Sequence, residues 1–162
     1  MPLSRHGITV TGIVQGVGFR PFVARTARDM NLSGFVRNDT SGAYIEVQGP
    51  EEICRRFVST MQECAPPIAS IQSVTVESIR LCGGNGFNVE GSLVGAPAGA
   101  VVPADVSVCE KCLAEMRDPS DRRYRYPFIN CTDCGPRFTI VDSLPYDRPR
   151  TTMADFPVCD EC

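Results

Sequence analysis

Lysine and histidine are nearly missing from this chain: Lys111 and His6 are the only ones among 162 residues. That scarcity narrows the chemistry. No lysine follows the glycine pair Gly16 and Gly18, so the Gly-Lys-Ser/Thr of a Walker loop is absent, as is the third glycine of a dinucleotide fingerprint. His6 begins an alternating apolar run, where it reads as incidental to catalysis. Long hydrophobic runs are absent too. Nothing approaches the roughly 20 apolar residues of a membrane span, and Met1-Pro2-Leu3-Ser4-Arg5-His6 holds no signal-peptide core. A basic surplus is also lacking. Residues 1–104 carry 8 basic and 8 acidic side chains and residues 105–162 carry 8 and 11, so neither half has the positive footprint of a nucleic-acid binder.

What remains is an ordinary soluble composition, 43% hydrophobic and 22% charged, long enough for one domain or two small ones. The informative stretch is Gly12-Ile13-Val14-Gln15-Gly16-Val17-Gly18-Phe19-Arg20. His6 to Val14 alternates as a strand, with Ile8, Val10 and Val14 on one face. Two glycines then permit a tight turn with inward-pointing N–H groups. Pro21 suits the first turn of a helix. Strand, glycine loop and helix N-terminus together make an anion cradle, formed by Gln15, Gly16, Val17, Gly18, Phe19 and Arg20. The Arg20 guanidinium adds a planar fork matched to phosphate oxygens. A generic tight turn is the rival reading; the arginine, placed where phosphate would sit, weighs against it.

Phe22, Val23, Ala27 and Met30 share a stripe at helical spacing, which predicts a helix from Pro21 to about Asn31. Strands are expected at Gly34 to Asn38, Ala43 to Gln48 and around Val74 to Ile79, with a short one at Gly86 to Glu90. A second helix starts at Pro50 and buries Ile53, Phe57, Met61 and Cys64. The order β-α-β-β-α-β is a ferredoxin-like α+β arrangement, expected as an antiparallel sheet with both helices on one face. Its first crossover makes the first two strands run in the same direction, which brings the Arg20 loop and Asn38 to one edge.

The organisation expected is a domain over residues 1–91, a Gly-Ala-Pro-Val linker over 92–104, and a cysteine-rich region over 105–162. Six of nine cysteines lie in that last region. Cys109-x-x-Cys112 and Cys131-x-x-Cys134 have the spacing of a closed, structural four-thiolate zinc site. An iron–sulfur cluster, a redox dithiol and disulfides are the alternatives; a cytoplasmic location favours metal. Cys159-x-x-Cys162 starts 50 residues after Cys109 and reads as half of a second zinc unit, which makes the chain a fragment. Cys54, Cys64 and Cys82 read as small fillers or free thiols, and Tyr124, Tyr126, Phe128 and Phe138 as a small core or, alternatively, a partner surface.

Val14-Gln15-Gly16-Val17-Gly18-Phe19-Arg20 resembles the signature loop of acylphosphatases, and Gly34-Phe35-Val36-Arg37-Asn38 resembles their second signature. Arg122 to Cys131, Cys134 to Thr139 and Pro145-Tyr146-Asp147-Arg148-Pro149 are similar to the zinc region of the HypF family, the carbamoyltransferases of NiFe-hydrogenase maturation. The resemblance implies an acylphosphatase-type hydrolase that acts on carbamoyl phosphate, with Arg20 on the phosphoryl group and Asn38 orienting water. It also implies structural zinc, and a hydrogenase-maturation partner protein in the full-length context. Two rival classes stay open: a ferredoxin-like binding module, for which only Tyr44 offers a ring on the third strand, and a docking surface beside a vestigial cradle.

Overall fold

Apolar alternation and punctuation by glycine decide where the elements fall. The structure is a computed structural model that describes residues 2–39, 41–92, 106–131, 134–135, 138–143 and 146–156. Strand β1, Leu3–Ile13, buries Ile8 and Val10 while Thr9 and Thr11 stay half-buried on the other side. Helix α1, Phe19–Asp29, turns Phe19, Phe22, Val23, Ala24 and Ala27 into the core. It ends where Asn31 takes a left-handed φ of 54° and Leu32 N–H donates to the Ala27 carbonyl at 2.9 Å, which satisfies the last turn. Strands β2, Ser33–Asn38, and β3, Gly42–Pro50, form a hairpin, and helix α2, Glu51–Glu63, buries Cys54, Phe57 and Met61. Strands β4, Ser70–Ser78, and β5, Phe87–Val89, complete a sheet of order β4-β1-β3-β2-β5.

The ferredoxin-like α+β architecture is therefore as expected, with three corrections. The sheet is mixed, because β5 pairs with β2 in parallel at the far edge. Cys64 is exposed at the end of α2 rather than on its buried face, and Cys54 takes the packing position instead. Helix α1 starts at Phe19, two residues before Pro21, because Gly18 at φ 73° supplies the N-cap and its carbonyl accepts the Phe22 N–H at 3.1 Å. Proline is tolerated there because first-turn N–H groups have no intrahelical partner. What matters for function survives: β1 and β2 are both antiparallel to β3, so their C-terminal ends share one edge.

That edge is prepared by a bulge. The β1–β4 register shifts between Thr11 and Gly12, where Gly12 has φ 114°. A Cβ on Gly12 would collide with the Ser70 carbonyl oxygen and come within 2.8 Å of Gln72 N. Gly12→Ala should cost about 2–4 kcal/mol of stability, because strained backbone and overlap act together. Denaturant unfolding measures it; an unchanged midpoint would mean the bulge relaxes freely.

The cysteine-rich part is built differently. Its described residues form helix α3, Glu110–Arg117, two short 3₁₀ turns, Phe138–Ile140 and Arg148–Arg150, and an isolated bridge, Val141–Thr151. Among the described residues its buried apolar cluster is Cys112, Ile129 and Cys134, with Val108, Cys109, Met116 and Cys131 against it. The aromatics are not its core: Tyr124, Tyr126 and Phe128 are 45%, 45% and 67% exposed, with Tyr126 and Phe128 packed edge-on against each other at 5.9 Å. So small a cluster has no room for three large rings. The side chain of Phe138, most of the expected linker 92–104, and the pair Cys159 and Cys162 lie outside the described residues.

Candidate active site

The cradle forms because two residues after β1 adopt backbone that glycine allows. Gly16 and Gly18 both have φ 73°, and the chain folds back between them into α1. Among the described residues, the main-chain N–H groups of Gln15, Gly16, Val17 and Gly18 donate no hydrogen bond. Val17 and Phe19 anchor the loop in the core, which leaves Gly16, Gly18 and Arg20 half-buried at the rim. Unpaired amides beside a helix N-terminus are the physical requirement for holding an anion.

Gln15 was expected to act through its backbone, but its side chain proves to be the clamp. Its Nε2 donates to the carbonyls of Asp39 and Gly42, at 2.7 Å each, tying the cradle to the β2–β3 turn. That turn is set in its own right by Asp39, whose Oδ1 accepts from Ser41 N at 2.8 Å, Ser41 Oγ at 2.7 Å and Gly42 N at 2.9 Å. Asn38 is thereby fixed at the end of β2 with no solvent exposure. Its Nδ2 donates to the Tyr146 carbonyl at 3.2 Å, while its Oδ1 is a buried acceptor with no partner. A buried unpaired acceptor is costly and points to a ligand or water.

Arg20 converges on the same oxygen. Its Nη2 donates to the Tyr146 carbonyl at 3.1 Å and to Asp147 Oδ1 at 2.7 Å. The Tyr146 N–H in turn donates to Gln15 Oε1 at 3.1 Å. Burial pushes the Tyr146 phenol above its usual range, against a smaller downward pull from Arg148 and Arg20. The structure thus brings Gln15, Arg20 and Asn38 together as the topology required, and adds Tyr146 and Asp147, which sequence reasoning did not place at the site. No local sequence pattern reveals a contact 127 residues away.

The second site is the cysteine cluster. Cys109, Cys112, Cys131 and Cys134 hold their sulfurs within 4.8 Å of one another. Cys109 Sγ lies 3.6 Å from Cys131 Sγ, and Cys134 Sγ lies 3.9 Å from both Cys112 and Cys131. Disulfide sulfurs stand at about 2.05 Å, whereas four thiolates around one metal at about 2.3 Å stand about 3.8 Å apart. The donor set fits a tetrahedral metal. Burial pushes the Cys112 thiol up, helped by hydrogen bonds with Cys131, Cys109 and Cys134. A bound cation reverses that preference by favouring the thiolates. The knuckle also touches the cradle: Gly135, with φ 64°, sits so close to Gly16 that a Cβ would lie 2.9 Å from its carbonyl oxygen.

Two other features are structural in their contacts. His6 Nε2 lies 3.1 Å from Glu51 Oε2, joining β1 to the start of α2. Phe35 and Tyr44 are each capped by the Arg37 guanidinium at 5.1 Å, so their rings are not a bare stacking platform for bases.

Residues 7–89 match the Acylphosphatase family model and residues 108–141 match that of the HypF finger. A carbamoyltransferase HypF from Synechocystis sp. is 47% identical over 154 residues, covering 95% of this chain and 20% of that protein. An acylphosphatase from Thermotoga petrophila is 38% identical over 84 residues, 51% of this chain and 92% of that enzyme. A crystal structure of full-length HypF in the phosphate- and nucleotide-bound form superposes with a TM-score of 0.94 at 45% identity, covering 99% of this chain and 21% of that one. The chain thus spans about a fifth of the length of the carbamoyltransferases it matches. Matched over residues 7–89 by the family model and 38% identical to an acylphosphatase it covers to 92%, the chain belongs to the acylphosphatase family, extended by a HypF finger.

Proposed function

We propose that the chain hydrolyses acyl phosphates at the cradle, and that carbamoyl phosphate is the natural one. The observation that carries this is the convergence of Arg20 and Asn38 on one oxygen beside a loop of unpaired amides. Displacement at phosphorus passes through a loose transition state that needs positioning and charge stabilisation. The Arg20 guanidinium and the amides of Gln15 to Arg20 hold the phosphoryl oxygens. Asn38 Oδ1, buried and unpartnered, accepts a hydrogen from the attacking water and aims it. The water oxygen bonds to phosphorus as the acyl C–O–P bond breaks on the phosphorus side. The carboxylate or carbamate leaves with the electron pair, and the water's proton goes to phosphate or solvent. No nucleophilic side chain is needed.

Zinc is the metal that suits four thiolates at this spacing. Cys109, Cys112, Cys131 and Cys134 would hold it, and a closed four-thiolate shell supplies structure rather than Lewis acidity. By similarity to the carbamoyltransferases, the released carbamate serves carbamoyl transfer in hydrogenase maturation, within a longer cytoplasmic protein and with a partner protein. Phosphate binding by the cradle accords with a similar HypF having been solved in a phosphate-bound form.

Release of inorganic phosphate from carbamoyl phosphate and acetyl phosphate tests the reading, and no release from either would end it. A sharper test separates the two side chains. If Asn38 aims water while Arg20 binds phosphate, Asn38→Ala should lose roughly 10²-fold or more in rate. It should still bind inorganic phosphate. Equal loss of phosphate affinity in Asn38→Ala and Arg20→Ala would contradict that division.

A further inference from the structure

The segment Tyr146–Asp147 accepts hydrogen bonds from the two side chains assigned to the cradle, Arg20 and Asn38. The two hydrogens on Arg20 Nη2 are both engaged, one by the Tyr146 carbonyl at 3.1 Å and one by Asp147 Oδ1 at 2.7 Å. One hydrogen of the Asn38 amide nitrogen goes to the same carbonyl at 3.2 Å. An incoming phosphoryl oxygen that takes Arg20 Nη2 must therefore displace an oxygen already in place. The segment is held from both sides: Tyr146 N–H donates to Gln15 Oε1 at 3.1 Å, and the 3₁₀ turn that follows is tied to Val141 through Thr151. Asp147 is 28% exposed and Arg20 17%, so the ion pair is partly desolvated rather than a loose surface contact. Arg20 Nε and Nη1 make no bond among the described residues.

We propose that Tyr146–Asp147 is an internal competitor for the anion cradle, with the Asp147 carboxylate standing in for phosphate on Arg20. The inference rests on the reading of the cradle as a phosphate site. Its consequence is selectivity by charge. A singly charged carboxylate ligand gains little by exchanging with Asp147, whereas a phosphoryl group offers more charge and three oxygens to the guanidinium and the amides. Asp147 thus lowers affinity for every anion and excludes the weak ones.

Titration with inorganic phosphate by calorimetry, on the whole metal-loaded chain, tests this. Removing a partly buried carboxylate competitor should tighten phosphate binding roughly 3- to 10-fold in Asp147→Ala. Asp147→Asn, which keeps the shape and removes the charge, should shift it in the same direction, and it serves where the alanine variant folds poorly. Arg20→Ala should lose binding. Phosphate affinity unchanged or weaker in both Asp147 variants overturns the inference, since Asp147 would then be orienting Arg20. The underlying reading fails separately: absent acyl-phosphate hydrolysis with phosphate affinity following the expected order removes the proposed activity and leaves the competitor in place. Phosphate bound by no variant overturns both.

Discussion

Arg20→Ala should abolish acyl-phosphate hydrolysis while the chain still folds cooperatively. The guanidinium is the only full positive charge among the cradle residues Gln15 to Arg20, and it reaches the oxygen that Asn38 also reaches. Losing such a preorganised contact with a transferring phosphoryl group costs about 3–4 kcal/mol of transition-state binding, on the order of 10²- to 10³-fold in rate. Stability should change far less. Arg20 bonds only to Tyr146 and Asp147 among the described residues, and a partly exposed ion pair contributes about 1 kcal/mol or less. Arg20→Lys is the informative companion, since it keeps the charge but not the planar fork, and should recover only part of the rate. Phosphate release and denaturant midpoints read both effects; turnover near that of the parent chain in Arg20→Ala would remove Arg20 from the mechanism.

Much of that site was legible because it depends on local rules plus one topological step. Alternation around Ile8 and Val10, the helical stripe through Phe22, Val23 and Ala27, and the β-α-β crossover suffice to bring Arg20 and Asn38 to one edge. The helix start was misjudged because proline is a visible signal, whereas the left-handed Gly18 that sets the cap is visible only as one of two glycines. The parallel pairing of β5 was not readable from three residues whose partner lies some fifty positions earlier. Cysteine spacing announced the cluster, since knuckle geometry is local. Aromatic composition did not announce exposure: Tyr124, Tyr126 and Phe128 have the chemistry of a core but no volume to fill. The Gln15 clamp and the Tyr146–Asp147 contact were illegible for a deeper reason. Each is a single hydrogen-bonding choice made across the fold, 24 residues away in one case and 127 in the other.

Removing metal should have an even larger effect, confined to one half of the molecule. The first domain has a continuous core that runs from Ile8 and Val10 through Phe19, Val36 and Ile45 to Phe57 and Met61. Among the described residues of the cysteine-rich part, the buried apolar ones are Cys112, Ile129 and Cys134, two of which are themselves candidate ligands. A region with so little apolar burial cannot offset its conformational entropy without a staple. Four-thiolate zinc contributes about 10–16 kcal/mol in small domains, enough to decide folded against unfolded. Strong chelation should therefore unfold residues 106–156, seen as loss of amide protection there, and leave the β-sheet domain protected. One tightly held zinc per chain is expected from Cys109, Cys112, Cys131 and Cys134, and a second retained zinc would show that Cys159 and Cys162 find further ligands. Because Gly135 abuts Gly16 and Asp147 pairs with Arg20, the apo chain should also lose the contacts that crowd the cradle. Phosphate should then bind the surviving domain at least as tightly as the metal-loaded chain. A cysteine-rich region that keeps its protection without metal would show that its small core is sufficient, and the structural role of the cluster would fall.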